Sequence, residues 1–211
     1  IHFETKLTDL ILSENQISHL ITSKGDKVPV RVLMIASGHS ARDIYELFYR
    51  KNILIEQKPF AMGVRVEHPQ ELIDSIQYHC KVRDESLPAA AYSLAVQTGG
   101  RGVYSFCMCP GGFIVPSATE QDQVVVNGMS PSSRNSKFAN SGIVVEIRIE
   151  DTLDFQQFGP LAGMKYQEHL ENLAFINGGS GQTAPAQRLH DFVNRKLSGE
   201  LPKTSYHPGI N

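Results

Sequence analysis

Short runs of apolar residues set off by polar turns fill the first two thirds of the chain, and helical spacing takes over in the last third. Ile1–Thr5, Leu7–Leu12 and Ile17–Thr22 read as brief strands, with Glu14-Asn-Gln16 as one of the turns between them. After the turn Ser23-Lys-Gly-Asp26, Val28–Ile35 is apolar and rich in β-branched residues, which predicts a buried strand. Together they predict a β-meander leaning on a buried sheet. That strand runs into Ala36-Ser-Gly-His-Ser40. A helix over Ala41–Arg50 is then predicted, because Ile44, Leu47 and Phe48 share one face.

The middle of the chain alternates more closely. Phe60–Val66 predicts a strand, and Pro69 opens a helix through Tyr78, where its missing N–H costs nothing. Ala89–Val96 is open between helix and strand. Arg101–Cys109 and the apolar run from Phe113 predict a hairpin turning at Pro110-Gly-Gly112, where proline fixes φ and glycine tolerates left-handed backbone. Gln123–Val126 and Ile143–Ile149 predict two further strands, separated by the polar loop Ser130–Ser136. Helices are expected over Pro160–Phe175 and Thr183–Leu197, joined by Gly178-Gly-Ser-Gly181. The pattern as a whole gives an α+β fold.

Composition narrows the function class. The chain has 211 residues, enough to bury a core without disulfide or metal. A net charge of -2 gives no footprint for nucleic acid or an anionic membrane. No apolar run approaches the ~20 residues needed to cross a bilayer. Three cysteines and no N-glycosylation triplet point to a reducing, cytoplasmic setting. The chain opens on Ile1 rather than Met and ends at Pro208-Gly-Ile-Asn211 without a capping element, so a piece of a longer polypeptide is expected.

The candidate chemistry gathers around Cys107 and Cys109. Two thiols two residues apart on an extended strand point to one face. They are open to three readings: structural packing, proximity to a substrate, or a zinc site completed by Cys80 and His79. A disulfide between them would be strained, and zinc needs four ligands. Arg101 and Arg134 sit beside glycine, serine or asparagine and Arg42 lies two residues after Ser40, each at or near a predicted turn, where an arginine can clamp a carboxylate or phosphate. His39 and His68 flank turns at strand ends, and His79 adjoins Cys80. Ala36, Ser37, Gly38 and His39 form a small-residue strand end before a helix, a place where a ligand can approach the backbone. Gly178–Gly181 follows no strand and lacks the Lys-Ser/Thr of a P-loop, so it reads as an inter-helix turn. No G-x-G-x-x-G, G-x-S-x-G, H-E-x-x-H or C-x-x-C occurs.

Ala36-Ser-Gly-His-Ser-Ala-Arg-Asp43, Gly63-Val-Arg-Val-Glu-His-Pro-Gln70, Arg101–Gly112 and Val126-Asn-Gly-Met-Ser130 resemble a bacterial family of uncharacterised FAD-dependent dehydrogenases. Pro160-Leu-Ala-Gly163 and Ala184-Pro-Ala-Gln187 are similar too. The resemblance implies residues 1–52 as part of an FAD domain and 53–211 as an inserted substrate-side domain, without the N-terminal glycine fingerprint or the C-terminal segment. It implies FAD in the intact protein, with Ala36–His39 at the strand end that approaches the cofactor. It also implies a small-molecule substrate, the remaining parts of the same polypeptide as partners, and a chain inactive alone. From the residues themselves, two thiols and an arginine beside a tight turn, Cys107, Cys109 and Arg101 are the expected catalytic residues, the Arg101–Gly112 hairpin facing the substrate side of the flavin and Arg101 orienting an anionic group. The rival expectation is a non-catalytic ligand-binding or interaction module.

Overall fold

The computed structural model describes residues 1–211. Strands β1 (Leu7–Ser13), β2 (Gln16–Thr22) and β3 (Lys27–Pro29) form an antiparallel meander, with Leu10 almost fully buried. The expected strand over Val28–Ile35 stops at Pro29, and Ile1–Thr5 forms no strand. The reason is a missing neighbour: β3 meets only β2, so beyond it Val32 and Met34 stand 87% and 88% exposed. A β-branched run needs a ladder and a covered face to become a strand, and here it has neither.

Helix α1 (Arg42–Arg50) buries Ile44 and Leu47, as its spacing predicts. Four strands then build the main sheet in the order β4 (Phe60–Pro69), β9 (Phe138–Ile147), β6 (Arg101–Cys109), β5 (Ala95–Thr98), all antiparallel. Between β4 and β5 the chain forms α2 (Gln70–Tyr78). The open segment Ala89–Val96 becomes strand only from Ala95. Ile73, Ala90 and Ala139 pack together beneath Tyr78, Tyr92 and Met108 on one face of the sheet.

The predicted hairpin across Pro110 does not form as a ladder. β7 (Phe113–Pro116) pairs with β8 (Val126–Met129) in a separate ribbon, while β6 pairs with β9 and β5. Gly111 has φ 51°, and a Cβ there would run into the backbone of Arg134, so the turn needs glycine to swing the chain away from β6. Gln123–Val125 lies outside any strand and Ile149 begins a 3₁₀ segment instead of ending one.

That 3₁₀ segment (Ile149–Leu161) leads into α3 (Ala162–Asn177), close to the expected Pro160–Phe175. The last expected helix shrinks to α4 (Leu189–Val193). Residues before it are extended because Ala184 bridges Ile210 in parallel, and Ala186 N–H donates to Asn211 O. Arg42 ties α1 to later segments: its Nη2 donates to Glu171 at 2.7 Å and its Nη1 to Gln123 at 3.0 Å. Both α+β elements and antiparallel pairing are therefore present, and no helix is long and apolar enough to cross a membrane.

Candidate functional site

Side chains alternate faces along a strand, so Arg65 and Glu67 of β4 share a face with Asn140 and Gly142 of β9, their register partners. Phe106 of β6 stands opposite Gly142 on that same face. From Phe106 to Cys109 the pairing moves from Gly142 to Asn140, so β6 carries one more residue than β9. This is a β-bulge, and Cys107 within it holds φ 47°, a left-handed conformation costing on the order of 1 kcal/mol outside glycine.

The bulge corrects the expectation that both thiols share a face by simple alternation. Cys109 is buried, and its Sγ donates to Cys107 O at 3.3 Å, while the Cys107 side chain is exposed. The Cys109 thiol and the Cys107 backbone nevertheless both lie beside Arg65. Its Nη1 donates to Cys107 O at 3.3 Å and to Asn140 Oδ1 at 2.9 Å, and its Nη2 to Asn127 Oδ1 at 3.1 Å. Burial pulls the guanidinium below its ordinary value, and the two neighbouring thiols push back. Gly128 makes this approach possible. A Cβ there would sit 2.5 Å from Arg65 Nη1 and 2.9 Å from Cys109 Sγ, and closer still to Asn140 Oδ1.

Asn140 is fully buried, and its Nδ2 has no acceptor. Glu67, the acidic neighbour on the same face, is taken by Thr204 Oγ1 at 2.8 Å and by the backbone and hydroxyl of Ser205. Across the other face, His68 Nε2 lies 3.0 Å from Tyr92 OH, which lies 2.6 Å from Ser141 Oγ. Burial lowers the His68 imidazole, with Glu67 opposing.

The structure separates the sequence-derived candidates. Arg101 begins β6, roughly 25 Å along the strand from Cys109. Its Nη2 donates to Asp151 Oδ1 at 2.6 Å and its Nη1 also bonds Glu146 O, so its fork already holds a carboxylate. Arg42 is paired with Glu171, and Arg134 lies exposed in its loop. Ala36, Ser37, Gly38 and His39 are all exposed in an irregular segment, and a Cβ on Gly38 would meet nothing within 4 Å. No three His, Cys, Asp or Glu side chains come together as metal ligands, Cys80, His79, Cys107 and Cys109 included. An open depression of about 440 Å³ is lined by Ile17, Ser18, Pro29, Val30 and Arg31, none of them a sequence-derived candidate.

Arg65, Asn127, Gly128 and Asn140 lie in strands, not among the loop arginines and paired thiols that stand out in the sequence. Their signal was a lone charge inside Gly63-Val-Arg-Val66, and an Asn-Gly pair inside a four-residue strand.

Residues 59–211 match the model of a family described as FAD-dependent protein, C-terminal domain-like. A Clostridium beijerinckii protein bearing only the description "uncharacterized protein" is 42% identical over 203 residues. The match covers 95% of this chain but 37% of that relative's length.

Proposed function

The chain belongs to the family of FAD-dependent proteins that share this C-terminal domain, and from that premise we propose that it is part of a FAD-dependent oxidoreductase. Its four-stranded sheet supplies the substrate side, with the Arg65–Cys107 face turned toward the flavin. The observation that carries this reading is the match of the family's C-terminal domain to residues 59–211, the stretch that contains the whole sheet.

The residues present do not fit an FAD by themselves. Ala36–His39 lie exposed with no opposing wall, and no glycine fingerprint is there to receive a pyrophosphate. No catalytic step is therefore routed through the cofactor. In flavoproteins generally the cofactor carries the redox chemistry and the protein binds and orients the reactants. The remaining segments of a longer polypeptide would hold the flavin, and residues 1–211 would be inactive without them. The greater length of the Clostridium relative supports this.

The test is the visible spectrum of residues 1–211 purified beside the full-length polypeptide. Flavin absorption in the full-length protein alone supports the reading. Flavin in neither preparation returns the chain to a non-catalytic binding module.

A further inference from the structure

We propose that the sheet face around Arg65 is a binding site for a small carboxylate carried on a flat apolar body. Three observations meet there. The first is a cation without a counter-ion. Arg65 is half-buried, yet no carboxylate meets it: its hydrogen bonds run to Cys107 O, Asn140 Oδ1 and Asn127 Oδ1, with the Cys109 side chain beside it. Every other arginine that is drawn into the fold, Arg42, Arg83, Arg101 and Arg148 among them, has a carboxylate partner. Burying a guanidinium without an anion is costly, and the cost is recovered when one arrives.

The second is a surplus of donors. A guanidinium offers five N–H groups, and three are used, leaving Nε–H and one Nη2–H. Asn140 Nδ2, on a fully buried side chain whose Oδ1 touches Arg65, adds another donor without an acceptor. Rotating the amide would turn that donor against the guanidinium, so the network itself sets the orientation. The acidic residue on the same face, Glu67, is committed to Thr204 and Ser205. Buried polar groups are otherwise almost always satisfied, and a carboxylate is the acceptor a guanidinium fork matches best.

The third is the shape beside the cation. Gly142 separates Arg65 from Phe106: a Cβ on it would lie 3.8 Å from Arg65 Nη2 and 3.7 Å from Phe106 Cβ. Phe106 is 56% exposed and Tyr104, two residues along the same face, 39%. An open guanidinium next to exposed aromatic rings fits an anionic head on a planar apolar body. Cys107, whose carbonyl accepts from Arg65 Nη1, is itself exposed. The inference rests on the substrate-side reading only for calling that carboxylate a substrate; its binding depends on these side chains alone.

The experiment is a calorimetric titration of the full-length protein with benzoate, using acetate as the comparison without a ring. Benzoate is expected to bind with a Kd on the order of 1 mM and acetate more weakly. Arg65→Gln should weaken benzoate roughly 10- to 100-fold, the effect of removing charged hydrogen bonds. Arg188→Gln, whose partner is Asp191, should leave the affinity unchanged. Should Arg65→Gln lose its cooperative melt, Gly142→Ala takes its place, since its added methyl meets nothing nearer than 3.4 Å and fills the gap between cation and ring. Wild-type protein that binds no benzoate, or a folded Arg65→Gln or Gly142→Ala that binds it as tightly as wild type, overturns the proposal. Because flavin content is read separately from the visible spectrum, benzoate binding without flavin would count against the oxidoreductase reading and leave this one standing.

Discussion

Arg65 on β4 and Asn140 on β9 are joined by one 2.9 Å hydrogen bond, and neither then finds a negatively charged group. The pair leaves a positive charge and an idle amide side by side on a face whose one acidic neighbour, Glu67, is committed to Thr204 and Ser205. Replacing Asn140 by Asp supplies the missing anion from within. The guanidinium is neutralised where it stands, and benzoate affinity should fall by at least roughly tenfold while the protein stays folded. Unchanged affinity in Asn140→Asp, measured by the same titration, would show that Arg65 is not the anion's partner.

Gly128 keeps β8 close to that pair. Its φ is not left-handed, so the constraint is one of space rather than backbone freedom. A methyl group would press on Arg65, Cys109 and Asn140 together, and Gly128→Ala should destabilise by about 1–3 kcal/mol. Gly181, with nothing within 4 Å and no positive φ, should accept alanine with no loss beyond a few tenths of a kcal/mol. Chemical denaturation of the two variants measures the contrast directly.

Asp74 holds α2 to the segment before β5. Burial would raise its carboxyl, but Ala90 N–H, Gln70 Nε2 and Arg83 Nε outweigh that and leave it below its ordinary value. A carboxyl lowered by folding adds stability that is present above its unfolded value and lost as pH falls through the folded one. Asp74→Asn should therefore cost about 1–3 kcal/mol at pH 7, and the gap to wild type should close below about pH 4. Urea melts at both pH values test this, and a gap that persists in acid would contradict it.

The bulge sets the two thiols apart in reactivity. Cys107 is exposed, whereas Cys109 is buried with its Sγ bonded to Cys107 O. Alkylation of the folded protein, mapped by peptide mass, should label Cys107 first and Cys109 only on unfolding. Equal labelling of both in the folded state would place Cys109 at the surface.

Much of the fold was legible because local periodicity and tertiary packing agree. The meander, α1 with Ile44 and Leu47 inward, β4 and α3 all follow from spacing alone. Val30–Ile35 failed because an apolar run becomes a strand only beside another strand, and which strands are adjacent is not a local property. The Pro110 turn was recognisable, but Gly111 packed on Arg134 sends the chain into a second ribbon, a contact between residues far apart in sequence. The site was half legible. Cys107 and Cys109 stood out by spacing, but Arg65 and Asn140 become neighbours only through the β4–β9 register, and the bulge at Cys107 depends on the same pairing. Arg101 looked free in sequence because its partner Asp151 lies beyond the next strand pair.

The account joins a carboxylate site at Arg65 to a flavin held by the rest of the polypeptide, and one measurement addresses both. Benzoate is titrated into flavin-containing full-length protein while the visible flavin spectrum is followed. The account predicts a saturable spectral shift with the same midpoint as the calorimetric titration, lost in Arg65→Gln. Saturable benzoate binding with an unaltered flavin spectrum would contradict it, by placing the Arg65 face away from the cofactor.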